Sequence, residues 1–130
     1  MLAFALFIAG CAESLGDFRE RPLTRTGTVP GAYRPLAGCV MDVMETEHLA
    51  IYRLLDRPDI ASASVTAMSG FGNTVIVLEL SFRQQDPRVV TIESRARLPI
   101  GHNYERAAWP IIERCANAKA AISPPLNEPR

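Results

Sequence analysis

The chain has no surplus of charge of either sign: 14 basic side chains balance 14 acidic ones over 130 residues. A domain that neutralises phosphates along a duplex carries a basic excess, so nucleic acid is not an expected partner. Histidine is scarce. His48 and His102 are the two present, and neither has a Cys, His or acidic partner at metal-ligand spacing; Glu45 and Glu47 beside His48 read as helix-end charges. No metal and no other cofactor is therefore expected. Long apolar runs are missing as well: the stretch from Met1 to Ala12 is uncharged, but spanning a hydrocarbon core about 30 Å thick takes roughly 20 helical residues. No catalytic constellation is evident either. Glu79 and Glu93 could share a sheet face as an acid–base pair, yet Arg83, Arg95 and Arg97 surround them with positive charge, which suits a solvated, ion-paired surface. The segment Ser69-Gly70-Phe71-Gly72-Asn73 joins two strands and opens no helix, so it is a hairpin loop rather than a phosphate cradle. The expected protein is not an enzyme.

What remains is enough for one small domain with an adequate core. Its opening stretch has the length of the apolar region of a secretory signal. Residues Ile8-Ala9-Gly10-Cys11 resemble the lipobox of bacterial lipoproteins, in which a branched apolar residue and two small ones precede a cysteine. The small residues admit the peptide to the signal peptidase, and the cysteine thiolate takes up a diacylglycerol group. One feature departs from such signals, since no Lys or Arg precedes the apolar run. The resemblance implies a signal peptide over 1–10, a mature chain beginning at Cys11 and acyl chains, palmitate among them, holding it on a membrane. Ala12 rather than Asp follows the cysteine, which by the same resemblance implies the periplasmic face of the bacterial outer membrane.

Residues 11–34 are polar and broken by Gly and Pro, with no sustained period. They are expected to be a flexible tether, on the order of 25 Å in reach, although Thr28-Val29 or Tyr33 could form a short strand. Residues 123–130 are proline-rich and expected to be a disordered tail. The domain proper is placed at 35–122.

Leu36, Cys39, Val40 and Val43 recur at helical spacing, which predicts a helix from Pro35 to about Glu47, with Pro35 tolerated at its start. Leu49 to Leu55 could extend it, but Asp56-Arg57-Pro58-Asp59 has strong turn chemistry, which favours a strand. Residues 60–68, 74–84 and 89–98 alternate with period two, the mark of an antiparallel sheet with one wet face. Pairing Phe82 with Ile92 sets Glu79 opposite Arg95, whereas pairing it with Val90 sets Glu79 against Glu93; the first is preferred because unlike charges attract across strands. A last helix is predicted from about Tyr104 to Ala121, with Tyr104, Ala108, Ile111, Cys115, Ala118 and Ile122 on one stripe, and with Pro110 either kinking it or marking its true start.

The expected fold is therefore α+β: an antiparallel sheet of three or four strands with an N-terminal and a C-terminal helix on one face. With Cys11 assigned to lipid, Cys39 and Cys115 remain as an even pair, each on the buried stripe of its helix. In an oxidising envelope they are expected to form a disulfide joining the helices. Candidate partner contacts are Phe71, at a loop tip, and Arg83, Arg95 and Arg97, on the wet face. The function expected is a non-enzymatic envelope lipoprotein, bound to the membrane by its anchor, that binds or supports another envelope protein or an anionic envelope component. The alternative is a periplasmic inhibitor or immunity-type protein acting on an enzyme.

Overall fold

The computed structural model describes residues 14–69 and 75–122, with side chains to residue 118. The signal segment 1–10, Cys11, Phe71 and the tail 123–130 lie outside the described residues. The elements in chain order are α1 (Leu15–Phe18), β1 (Arg25–Pro30), α2 (Tyr33–Glu47), β2 (Ile51–Arg57), a 3-10 turn (Pro58–Ile60), β3 (Ser62–Ser69), β4 (Val75–Asp86), β5 (Val89–Ala96) and α3 (Ile100–Ile122). The strands form one antiparallel open sheet in the order β1-β5-β4-β3-β2. The class is α+β as expected, but with five strands where three or four were predicted.

The additional strand comes from the segment expected to be a tether. From Ser14 onward that segment belongs to the fold. Ser14 caps α1 reciprocally, its hydroxyl accepting from the Asp17 N–H while the Asp17 carboxylate accepts from its own, which satisfies two backbone donors otherwise left open at a helix start. β1 then pairs along β5 from Arg25↔Ser94 to Pro30↔Val89. An edge strand tolerates Pro30 and Gly27 because one of its sides needs no partner, and Val29 is the one β1 residue that enters the core.

The predicted register of the central hairpin is the one observed: Phe82 faces Ile92, and Glu79 faces Arg95. On this face Ala63, Val65 and Ala67 of β3, Leu78, Leu80 and Phe82 of β4, and Val90 and Ile92 of β5 form the sheet side of the core. Leu36, Ala37, Val40 and Met44 of α2 cover it together with Ala108, Ile111, Ile112 and Cys115 of α3. The small side chains of β3 leave room for a helix close above them. The segment expected at 49–55 is strand rather than helix, but it runs two residues later, as Ile51–Arg57, taking in Asp56 and Arg57 of the expected turn, with Tyr52 buried against α2. The Tyr52 hydroxyl donates to the His48 carbonyl oxygen at 3.1 Å, and burial first, then Tyr104 and Glu45, push its pKa up to about 12.

α3 begins at Ile100, earlier than predicted, and runs through Pro110. Its buried surface is also wider than the predicted stripe: Glu105, Trp109, Ile112 and Ala116 are buried, while Ala118 is exposed. The extra width is needed because α3 must cover β1 as well as β4 and β5. Gly27 is where that crossing is tightest, since a Cβ there would stand 2.9 Å from the Trp109 ring. The first turn of α3 approaches the sheet closer still. A Cβ at Gly101 would lie 2.1 Å from the carbonyl oxygen of Val77, which already accepts the Arg97 N–H at 2.8 Å. Gly101→Ala is accordingly expected to destabilise the domain by about 2 kcal/mol, the scale of overpacking a closed core. Gly38→Ala, at a helical position with no heavy atom near the added carbon, is expected to stabilise it by about 0.5–1 kcal/mol. Paired urea titrations check both signs.

The predicted disulfide is present. Cys39 of α2 and Cys115 of α3 are bonded with Cα atoms 6.0 Å apart, across a sequence separation of 76 residues.

Candidate functional site

The second face of the sheet carries Arg53, Thr66, Glu79 and Arg95 in one cross-strand row and Leu55, Ser64, Ser81 and Glu93 in the next. Alternation alone predicts that this face is wet. Part of it is not, because the N-terminal segment crosses over β4 and β5. Phe18 is fully buried there, with the guanidinium groups of Arg21 and Arg97 at 5.7 and 5.8 Å from its ring centroid. Placing a cation over a ring face is favourable, and each such contact lets an aromatic side chain sit on an otherwise charged surface.

Glu79 is the pivot of the arrangement. Its carboxylate accepts from Arg19 at 2.7 Å and faces Arg95 at 3.5 Å, and its side chain is 2% exposed. Arg95 also donates from Nε to the Arg21 carbonyl oxygen at 3.0 Å. One carboxylate thus ties the covering segment to two adjacent strands. Burying such a charge is tolerable because the opposite charge and the hydrogen bonds arrive together.

Beside this pairing lies a groove of about 220 Å³. Ser64 and Ser81 form its floor, Arg19, Glu79 and Arg95 one wall, and Leu55, Arg57 and Ile60 the other. Two guanidinium groups on one carboxylate leave a single net positive charge, while Arg57 is balanced by Asp59 at 3.5 Å. Hydroxyl groups, a net cation and an apolar rim suit a partner group that is polar and anionic, with an apolar neighbour for Leu55 and Ile60 to contact.

The three arginines singled out in the sequence are dispersed by the fold. Arg95 lines the groove. Arg97 is directed elsewhere: its Nε donates to the Ile76 carbonyl oxygen at 2.9 Å and its guanidinium stacks on Phe18. Arg83 is exposed one row away, between Ser62 and Thr91, and is not among the groove residues. Ser62, Ser64 and Ser81 already stood on the outer face by alternation. Arg19 carried no signal, because it belongs to a segment without periodicity.

A second polar cluster ties β1 and β5 to α3. Glu105 is buried and accepts from the hydroxyls of Thr24 and Ser94, and Trp109 Nε1 donates to Ser94 Oγ at 3.2 Å. Arg25 covers the Trp109 ring at 4.4 Å from its centroid. No buried side-chain polar atom among the described residues lacks a hydrogen-bond partner, and the bonds of this cluster join three elements, which makes it a structural joint.

Among the described residues no group of His, Cys, Asp and Glu is arranged to hold a metal ion, and no helix is long and apolar enough to cross a membrane. The class defined by these features is an α+β domain with two helices stapled over one face of a five-stranded open sheet and its own N-terminal segment folded over the other. Comparison with protein-family models, with curated proteins and with solved structures finds no match.

Proposed function

We propose that this protein is a small lipid-anchored component of a bacterial envelope, facing the periplasm from the outer membrane, that binds or supports another envelope component without catalysing a reaction. The observation that carries this is the Cys39–Cys115 bond. Structural disulfides belong to oxidising compartments, and this one uses two of the chain's 3 cysteines, leaving Cys11 of the lipobox-like Ile8-Ala9-Gly10-Cys11 as the odd thiol. An exported chain with a lone N-terminal cysteine after an apolar segment fits acylation of that cysteine. The groove between the N-terminal segment and β2 is the surface assigned to the partner, whose contacting group is anionic or polar.

Two measurements test this. Cells fed an alkyne fatty acid should label the wild-type protein and leave Cys11→Ser unlabelled; equal labelling of the two would sink the anchor. Crosslinking and pull-down from intact cells should recover one dominant envelope component. Leu55→Glu, which puts a carboxylate on the half-open rim of the groove, should cut that recovery by about fivefold or more, the effect of losing roughly 1 kcal/mol of contact. Arg88→Ala, on the exposed β4–β5 turn, should leave it unchanged.

A further inference from the structure

Nine large apolar side chains of the described residues are exposed, and five of them, Leu49, Ile51, Val75, Leu98 and Ile100, gather at one end of the sheet. The topology puts them there. In an antiparallel sheet the start of β2, the start of β4 and the exit from β5 share an end, and the hydroxyl of Tyr104 in α3 donates to the Leu49 carbonyl oxygen at 2.6 Å, binding the two loops together. The exposure is not marginal: Leu49 is 96% and Leu98 67% exposed. The loops that carry Leu49, Ile51, Leu98 and Ile100, residues 48–51 and 97–103, contain no acidic residue, and their titratable groups are Arg97, His48 and His102. Isolated surface leucines need no explanation, but a gathered set at one pole of a small domain marks an interaction surface.

The path of the N-terminal segment says what covers it. Phe18 packs beside Arg97, whose Nε is bonded to Ile76 at the start of β4, so α1 lies at this same end. α1 advances about 1.5 Å per residue, and the three residues from Cys11 to Ser14 reach at most about 10 Å. Chain length therefore tethers Cys11 within roughly 16 Å of the Phe18 backbone, on the half of the sheet nearer this end. An acyl group on Cys11 would bring this pole, and not the β4–β5 turn at the far end, to the bilayer surface.

We infer that the end of the sheet formed by Leu49, Ile51, Val75, Leu98 and Ile100 docks on the lipid bilayer, its apolar side chains entering the interfacial zone while Arg97 remains at headgroup level. This rests on the reading that Cys11 carries the lipid. It replaces a domain on a long tether with one held against the membrane at two points, an arrangement in which the apolar contact adds to the acyl chains and the groove keeps a fixed orientation.

Every described element and the disulfide follow Cys11, so a chain of residues 11–130 keeps the described fold whole. With Cys39 and Cys115 bonded, Cys11 can be coupled chemically to a maleimide-headgroup lipid in vesicles of phosphatidylethanolamine and phosphatidylglycerol, independently of any acylation in cells. Tryptophan is placed by Leu49→Trp, by Leu98→Trp and, at the opposite end, by Arg88→Trp, against the constant background of buried Trp109. Brominated acyl chains should quench the added fluorescence of Leu49→Trp and Leu98→Trp at least about twofold more than that of Arg88→Trp, since bromine quenches at contact and the two ends stand at different depths. Equal quenching at the two ends, or stronger quenching at residue 88, overturns the docking geometry. Fatty-acid labelling of Cys11 decides the anchor separately.

Discussion

Replacing Cys39 and Cys115 together by alanine is expected to lower the stability of the domain by about 4 kcal/mol, a large part of the total for a chain of this size. The bond closes a loop across a separation of 76 residues, and in the chain-entropy account the stabilisation comes from restricting the unfolded ensemble, growing with the logarithm of that length. The native contribution works in the same direction: Cys115 is 1% exposed in the core between the helices, so alanine also removes packed sulfur there. The midpoint of thermal unfolding should fall by on the order of 15 °C. Reduction of the wild-type protein should reproduce the shift of the double variant, and adding reductant to the variant should change nothing. The denaturant dependence should steepen, because the released chain unfolds to a more expanded state. A loss under about 1 kcal/mol would mean that α2 and α3 are held by the sheet alone. The functional corollary is compartmental: a domain that draws this much stability from a disulfide is suited to an oxidising space.

How much of this fold could be read beforehand varied with where the physical information lay. Within 35–122 it was local. The alternation in β3, β4 and β5 and the i, i+3, i+4 spacing in α2 reflect burial against one partner each, so period and structure coincide. The register followed from a single charge comparison, since Glu79 could face either Arg95 or Glu93 and the sheet has Arg95. The N-terminal segment differs because its order is imposed from outside. β1 buries one side chain, Val29, and is held by backbone pairing to β5, which depends little on side-chain type; no pattern in its own sequence records it. Its outlet is fixed in the same way: Gln84 of β4 accepts from the Tyr33 N–H at 2.8 Å and donates to the Gly31 carbonyl oxygen at 2.9 Å, seating the start of α2 from a position that in sequence looks like the frayed end of a strand. Glu105 was illegible for a related reason. A glutamate in a helix is ordinarily a surface charge, and its burial here answers Ser94 of β5 and Thr24, the latter brought to it by the chain entering β1.

The candidate site had the same fault line. Its floor of serines and its Arg95 were visible as the outer face of the sheet, but a flat wet face is not a groove. The wall that makes it one comes from Arg19, and the position of Arg19 depends on Phe18 being seated between two guanidinium groups. The capping box at Ser14 and Asp17 was the available clue, a helix-start signal in a region otherwise read as linker.

Glu79→Gln should therefore be the most damaging single change on that face. The glutamine keeps the volume and can still accept from Arg19, so the loss comes from the charge and from the oxygen that faced Arg95. With Glu79 2% exposed, the carboxylate is stabilised by Arg19 and Arg95 rather than by water, and removing its charge leaves two cations side by side on one wall of the groove. Breaking a buried pair by neutralising one partner ordinarily costs 3–5 kcal/mol. Arg19, with 40% of its side chain exposed, can swing back into water, which lowers the expected cost here to about 2–3 kcal/mol. The same freedom predicts where the damage goes. Once Arg19 is released, residues 14–24 should lose hydrogen-exchange protection before β3, β4 and β5 do, because the segment is held to the sheet by Glu79, by the Arg95–Arg21 contact and by Phe18. Arg19→Met, which retains the apolar stem but gives up the ion pair, should cost less, about 1 kcal/mol. Combining it with Glu79→Gln should cost less than the sum of the two changes, since each removes the same interaction. Strict additivity of the pair, or protection in 14–24 unchanged by Glu79→Gln, would show that Phe18 and the Arg95–Arg21 contact fasten the segment and that the groove wall does not depend on the buried charge.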